Sequence, residues 1–378
     1  MLRKFFIFAT LAVSIATAAL ADVAMVEHRT LQRDLHAKAG HVVKPGEKPA
    51  VPVVRATGSQ GLIDASGVKY FINTNITFST SSSASAAMSE ASYTHAVAAT
   101  TLNGGTTSTT LNDAYDGYNT LCLSLNNTVA TCETGNANFV IYNKNGPATT
   151  ECPGTTSGVN RQVVFPVQTA GSIQMQRKVF VPDNDSFARW LNYFTNTSGS
   201  PQTVTAVIAN NLGSDSNTVI VSSSNGNNTA EITDTWVTTF QNYSGTTSSD
   251  PRLGHVLQGT GATVQLAGIN FADGDDNPFW GYTFTLAPGE TKIIANFAVV
   301  QPSKAAANAK SASLAVTPLP ANAIQCTTLT EQTEIMNFVS TVPIAQVPTL
   351  NSLGLLVLAA GLALAATVLL LRRRSTAV

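Results

Sequence analysis

Two aspartates close to each other, Asp113 and Asp116 in "DAYDG", are the first residues whose type and spacing suggest chemistry. A carboxylate pair acts as acid and base on a glycosidic bond when both groups face one cleft. The more common role of Asp before Gly is a turn, in which the side chain bonds its own backbone. A second acidic group stands in "ADGDDNPFW", with Asp273, Asp275, Asp276 and Asn277. Clustered oxygen ligands suit Ca²⁺, the one cofactor this sequence suggests, yet the stretch lacks a full twelve-residue loop with its final Glu. A solvated acidic loop fits it at least as well. Asp183 and Asp185 in "PDNDS" are a weaker version of the same pattern. His255 in "RLGHVLQG" is a lone histidine with no identifiable nucleophile beside it, so a structural role is the simpler expectation. Trp190, Trp236 and Trp280, with Tyr193 and Tyr282, would suit stacking on sugar rings, because these side chains join an apolar face to a polar tip. In a β-sandwich the same residues more often fill the core. No Gly-rich phosphate loop, G-x-S-x-G or H-E-x-x-H stretch occurs.

The elements that must position these residues read as strands. From Gly61 onward come short runs rich in β-branched and aromatic residues, among them "SIQMQRKVFV", "RWLNYFTNT", "TVTAVIAN", "WGYTFTL" and "TKIIANFAVV". Gly, Asn, Ser, Asp or Pro usually separate them, which is the texture of a sandwich. "LAPGET" reads as the turn into the last of these strands. Two short helices are expected late, "PSKAAANAKSASLAV" with Ser303 as N-cap and "TTLTEQTEIMNFV" with Thr330 at its start. Cys122, Cys132, Cys152 and Cys326 are even in number and fit no zinc spacing. A hairpin with its turn over Asn126–Thr128 would set Cys122 opposite Cys132 and leave Cys152 to Cys326, one of three pairings open to four cysteines.

Charge is sparse, at 11 % of residues. Residues 61–346 hold ten Lys and Arg against eighteen Asp and Glu, a net of −8. An acidic body argues against nucleic acid as a partner.

The ends look like addresses. Residues 1–21 show a basic start at Arg3 and Lys4, an apolar stretch and small residues at Ala19 and Ala21, the layout of a cleaved secretory signal. Residues 22–60 form an arm with His28, His36 and His41 and several prolines, too irregular for a metal site. The body is expected over 61–340 and a linker over 341–352. The uncharged run 353–371 would span roughly 28 Å as a helix, about a bilayer's hydrocarbon thickness. Arg372, Arg373 and Arg374 open a basic tail, 372–378, expected to stay in the cytoplasm.

Val347, Pro348, Thr349 and Leu350, then Gly354, the apolar run and the three arginines resemble the IPTL-CTERM sorting signal of Gram-negative bacteria. The resemblance implies a tail that holds the protein in the inner membrane, with the body in the periplasm. An exosortase-type enzyme would then process it near Pro348-Thr349, after export by the secretion machinery and signal peptidase. The cell surface or the extracellular space would be the destination. The stretch from Asp113 to Val300 resembles a β-rich domain of secreted bacterial surface proteins, which implies a β-sandwich, with a supersandwich of the galactose-mutarotase kind as one topology open to it, and no mechanism.

The expectation is therefore a mainly β, exported and membrane-anchored cell-envelope protein without catalytic activity. The alternative is a carbohydrate-binding or glycan-active protein, with a glycan as partner.

Overall fold

The computed structural model describes residues 58–74, 84–97, 111, 114–132, 136–214, 217–241, 250–340 and six helical positions from 359 to 367. The chain divides into two compact units, Met1–Ser340 and Thr341–Val378.

The first unit is mainly β, with two antiparallel sheets. One sheet runs in the order β1 (Ser59–Ile63), β2 (Val68–Asn73), β3 (Met88–Tyr93), β4 (Gly117–Ser124), β11 (Gln202–Asn211), β16 (Phe279–Leu286), β15 (Leu266–Asn270), with β5 (Phe139–Ile141) on β4. The other runs β12 (Thr218–Ser223), β13 (Trp236–Gln241), β14 (Arg252–Val256), β17 (Thr291–Gln301), β10 (Ala188–Asn196), β9 (Ile173–Phe180), β7 (Asn160–Val164), β6 (Thr149–Pro153), with β8 (Gln168–Ala170) on β9.

Sequence periodicity explains which faces meet. In β9, Ile173, Met175, Arg177 and Val179 are buried while Gln174, Gln176 and Lys178 are partly exposed, the period of two of a strand with one solvated face. The buried set joins Trp190, Phe194, Tyr118, Leu121, Trp280 and Tyr282 in the core between the sheets. Strands β10 and β17 are buried on both faces. Their other face packs Leu191, Tyr193, Ile293, Ala295 and Phe297 against Leu314, Leu319 and Phe338. These last residues belong to α1 (Lys304–Leu314) and to the segment running past α2 (Leu329–Glu334), which cover the second sheet. The turn into β17 needs φ of +73° at Gly289, and Glu290 N donates to Ala287 O at 3.0 Å.

The N-cap of α1 is Ser303, whose Oγ accepts from Ala306 N. The start of α2 differs from the expected Thr330. Its cap is Thr328, in a capping box with Glu331. Glu331 also accepts from the Tyr193 hydroxyl and pairs with Lys178 at 2.9 Å, so this one carboxylate both starts the helix and fastens it to the sheet. Thr328→Ala should therefore cost about 1 kcal/mol and Glu331→Ala about 2–3 kcal/mol, compared by urea midpoints. Equal losses would mean that the ties to Tyr193 and Lys178 add nothing to the cap.

The disulfides are Cys122–Cys132 and Cys152–Cys326. The hairpin expected around the first is not formed. Strand β4 runs on to Ser124, and the residues opposite Cys122 are Ile141 of β5 and Val207 of β11. Cys132 reaches it from outside any strand.

Among the described residues no helix is long and apolar enough to cross a membrane. The spanning helix expected over 353–371 is corrected on that finding. Of that run only Ala359, Ala360, Leu362, Ala363, Leu364 and Thr367 are described, as helical and exposed. Inner-membrane anchoring, the placement inferred from it, and the membrane and processing partners are withdrawn with it. The signal peptide, most of the arm, and the sorting residues Val347, Pro348, Thr349, Leu350, Gly354, Arg372, Arg373 and Arg374 lie outside the described residues.

Candidate functional site

The titratable and aromatic side chains that the fold brings together meet between the sheets. Strand β4 delivers Tyr118 from one side and β14 delivers His255 from the other. The His255 Nδ1 lies 3.0 Å from the Tyr118 hydroxyl, and its Nε2 lies 3.0 Å from Thr239 Oγ1 of β13. One ring nitrogen donates and the other accepts, as a neutral imidazole requires. Around this pair stand Tyr115 and Trp190, 4.5 and 5.7 Å from the Tyr118 ring, and Phe271, 5.2 Å from His255. Trp280 lies 6.2 Å from Tyr118 and 6.4 Å from His255. Tyr118, Trp190, His255 and Trp280 are all 0 % exposed. Burial pushes His255 down to about 3 and holds Tyr118 well above the usual phenol range. Both groups are therefore uncharged near neutral pH.

A polar chain adjoins the pair. Arg177 donates to Asn192 Oδ1 at 2.8 Å and to the Asn119 carbonyl at 2.6 Å. Asn192 donates to Asn296, Asn296 donates to the Tyr282 hydroxyl at 2.9 Å, and Tyr282 donates to Leu257 O at 2.6 Å. Burial lowers Arg177 to about 9. Three non-glycine residues here have left-handed backbones: Ala86 (φ 63°), Tyr115 (φ 68°) and Asn119 (φ 62°). Such conformations cost roughly 1–3 kcal/mol each and tend to collect at functional sites. At Asn119 the result is specific, since its carbonyl and its Oδ1 both accept from Arg177. At Ala86 the carbonyl accepts from Trp190 Nε1 at 2.7 Å. Among the described residues four buried polar atoms nearby have no hydrogen-bond partner: Tyr115 Oη, Trp280 Nε1, Asn119 Nδ2 and Ser85 Oγ.

The acidic candidates do not converge. Asp113 lies outside the described residues, and Asp116 is half-buried. Asp273 accepts from Ile220 N at 2.6 Å, Asp275 accepts from Asn277 N at 2.9 Å, and Asp276 accepts from the Asn277 amide. Each shapes a local turn or a loop contact. Asp183 accepts from the backbone and hydroxyls of Thr155 and Ser157 and from Thr156 N, which organises that loop. Asp185 pairs with Lys310 of α1. Among the described residues no group of three or more His, Cys, Asp or Glu is placed to hold a metal ion.

Trp190, Trp280 and Tyr282 are core residues, Tyr193 is nearly buried and Trp236 half-buried, so they form no exposed sugar platform. His255, read as lacking a partner, has Tyr118 as one, and Tyr118 was not singled out in the sequence. The two are 137 residues apart, and no local pattern links them.

No protein-family model matches the chain, and no curated protein matches it. Several solved structures are similar to part of it. A polysaccharide lyase is 14 % identical at a TM-score of 0.35, over 68 % of this chain and 34 % of its own. A galactose mutarotase-like protein from Lactobacillus casei is 11 % identical at 0.33, over 65 % and 100 %. A heparan sulfate lyase mutant from Pedobacter heparinus is 12 % identical at 0.31, over 68 % and 38 %. The chain thus spans about a third of the polysaccharide lyase's length. At these scores the likeness carries no function. The similar structures include lyases and a mutarotase-like protein, and the expectation of a protein without catalytic activity is withdrawn.

Proposed function

We propose that the sandwich is a carbohydrate-directed module whose chemistry centres on Tyr118 and His255. The observation that carries this reading is the convergence, from both sheets, of a neutral imidazole, a phenol and two indoles, beside polar atoms that lack a protein partner. The indoles are buried and offer a sugar no face as the sheets stand. What suits a sugar is the set of unpartnered polar groups at Tyr115 and Asn119, which its hydroxyls would reach where the sheets part. As buried, the imidazole and the phenol are both uncharged and serve as hydrogen-bonding groups, and proton transfer through them would need water to reach the pair and bring the imidazole back towards its ordinary value.

The test is a panel of mono- and oligosaccharides added to the full chain, followed by tryptophan fluorescence and calorimetry. A saturable response is expected from at least one sugar. Tyr118→Phe, which removes only the hydroxyl, should weaken binding about 5-fold, or slow any turnover by about 10²-fold or more. Silence from every sugar would overturn the reading.

The absence of solvent exposure at Tyr118 and His255 favours a second reading, in which the pair fastens one sheet to the other. Under it Tyr118→Phe lowers stability by about 1 kcal/mol and no sugar responds.

A further inference from the structure

The outer side of the second sheet carries a different feature, independent of the centre between the sheets. Helix α1 begins at Lys304, capped by Ser303, and its first turn contains no acidic residue. The positive end of a helix ordinarily favours an acid, and a lysine there is unfavourable. A second cation lies alongside. The Lys304 Nζ stands 4.3 Å from the centroid of the Phe240 ring, and the Arg252 guanidinium stands 4.6 Å from the same centroid. Strand pairing accounts for the meeting, because Arg252 lies opposite Gln301, three residues before Lys304.

Arg252 is 0 % exposed, yet among the described residues its Nε and Nη2 have no hydrogen-bond partner. Its Nη1 donates to the Asp250 carbonyl at 3.2 Å. Among the described residues the Asp250 carboxylate acts on it and offsets one of the two positive charges. Among the described residues Lys304 forms no ion pair. Its amine is lowered first by burial and then by Arg252, as expected of two cations held together. Lys304 is half-buried and Ala305 is exposed, so the lysine end of the site faces solvent at the start of the helix, while the Arg252 side chain is buried.

We infer that Arg252, Lys304 and the N-terminus of α1 form a binding site for an oxyanion. The ligand class is a sulfate, phosphate or carboxylate group, either free or carried on a larger molecule. A tetrahedral or planar oxyanion would accept from the unpartnered guanidinium nitrogens and the ammonium, and would lie at the positive end of the helix.

Thermal unfolding of the full chain in sodium sulfate and sodium phosphate, against sodium chloride at equal ionic strength, tests this. A saturable rise of about 2–4 °C is expected at ten times the Kd. Lys304→Ala, at a half-buried position, should weaken the anion about 10-fold, and Arg252→Gln at least as much. Titration with a sulfated disaccharide and its unsulfated parent separates the sources. Tighter binding of the sulfated sugar than of inorganic sulfate assigns the oxyanion to a larger ligand, whereas equal binding assigns it to the free ion. No rise beyond that in chloride would overturn the site, as would a Lys304→Ala protein that responds like wild type. His255 and Tyr118 are untouched by these variants, so this result is independent of the sugar panel.

Discussion

Removing the bridge between Cys152 and Cys326 should cost the fold roughly 5 kcal/mol, against roughly 3 kcal/mol for the bridge between Cys122 and Cys132. The difference comes from loop length, since the first pair is separated by 174 residues and the second by 10. A cross-link between distant residues removes more freedom from the unfolded chain. Packing acts in the opposite direction. Cys122 and Cys132 are fully buried in a small cluster with Val207 and Ala209, whereas Cys152 and Cys326 are only partly buried. What remains after the long bridge is opened is a set of hydrogen bonds. Arg189 donates to the carbonyls of Ala323 and Gln325 at 2.7 and 2.8 Å, and Gln162 donates to Cys326 O at 3.1 Å. These would hold the segment between the helices against β7 and β10 without the covalent tie. The measurement is a pair of urea titrations, one on Cys152→Ala/Cys326→Ala and one on Cys122→Ala/Cys132→Ala. If the short-loop variant loses as much as the long-loop one, chain entropy is not what the long bridge contributes.

Local patterns in the sequence carried the strands, the Ser303 cap and the turn at Pro288-Gly289, because each depends on residues within about four positions of one another. "SIQMQRKVFV" alternates, and the burial of β9 alternates with it. "TKIIANFAVV" does not alternate, because β17 is covered on both faces. The expected start at Thr330 lies two residues past the cap, because Thr327 and Thr328 stand just before α2 and Thr330 stands inside it. Only Thr328 stands three before Glu331, the spacing a capping box needs. Cys122 shows the limit of turn reasoning. A turn signal at Asn126 does not tell how far β4 continues, and the register of β4 is set by β11 and β5 instead. The centre between the sheets was out of reach for the same reason on a larger scale. Tyr118, Trp190, His255 and Trp280 come from four strands in two sheets, and the order of those strands is not written in any short stretch. The hydropathy of 353–371 reported the length of an apolar run, which by itself does not establish a spanning helix.

Acid should weaken the fold through His255, and Asp64 should mask part of that effect. The His255 imidazole, ordinarily near 6.5, is lowered to about 3 by burial. Between those values the unfolded chain binds a proton that the folded chain does not. Stability is therefore fully present above 6.5 and is lost as pH falls towards 3, by up to about 1.4 kcal/mol per pH unit and roughly 5 kcal/mol in all. Asp64 has the opposite sign. Burial raises its carboxyl from 3.8 to about 6, although Ser66, Val68 and Tyr70 all donate to it. Between 3.8 and 6 the folded chain binds a proton that the unfolded chain lacks. Its contribution is fully present below 3.8 and is lost as pH rises through 6. Across that window the two slopes oppose each other, and the pair together leaves stability nearly level. Asp64→Asn keeps the acceptor for Ser66 and Val68, and the Tyr70 hydroxyl can turn to accept from the new amide. This variant should reveal the His255 slope, with stability falling by roughly 3 kcal/mol more than in wild type between pH 6 and 4. His255→Gln should do the reverse, becoming more stable relative to wild type as pH falls over the same range. Urea midpoints at half-unit intervals from pH 4 to 6.5 would read both. An Asp64→Asn protein with the same pH profile as wild type would mean that Asp64 is not held protonated in the fold. A His255→Gln protein with an unchanged profile would mean that the imidazole between the sheets reaches a proton in the folded state, and the closed centre would then be open to solvent.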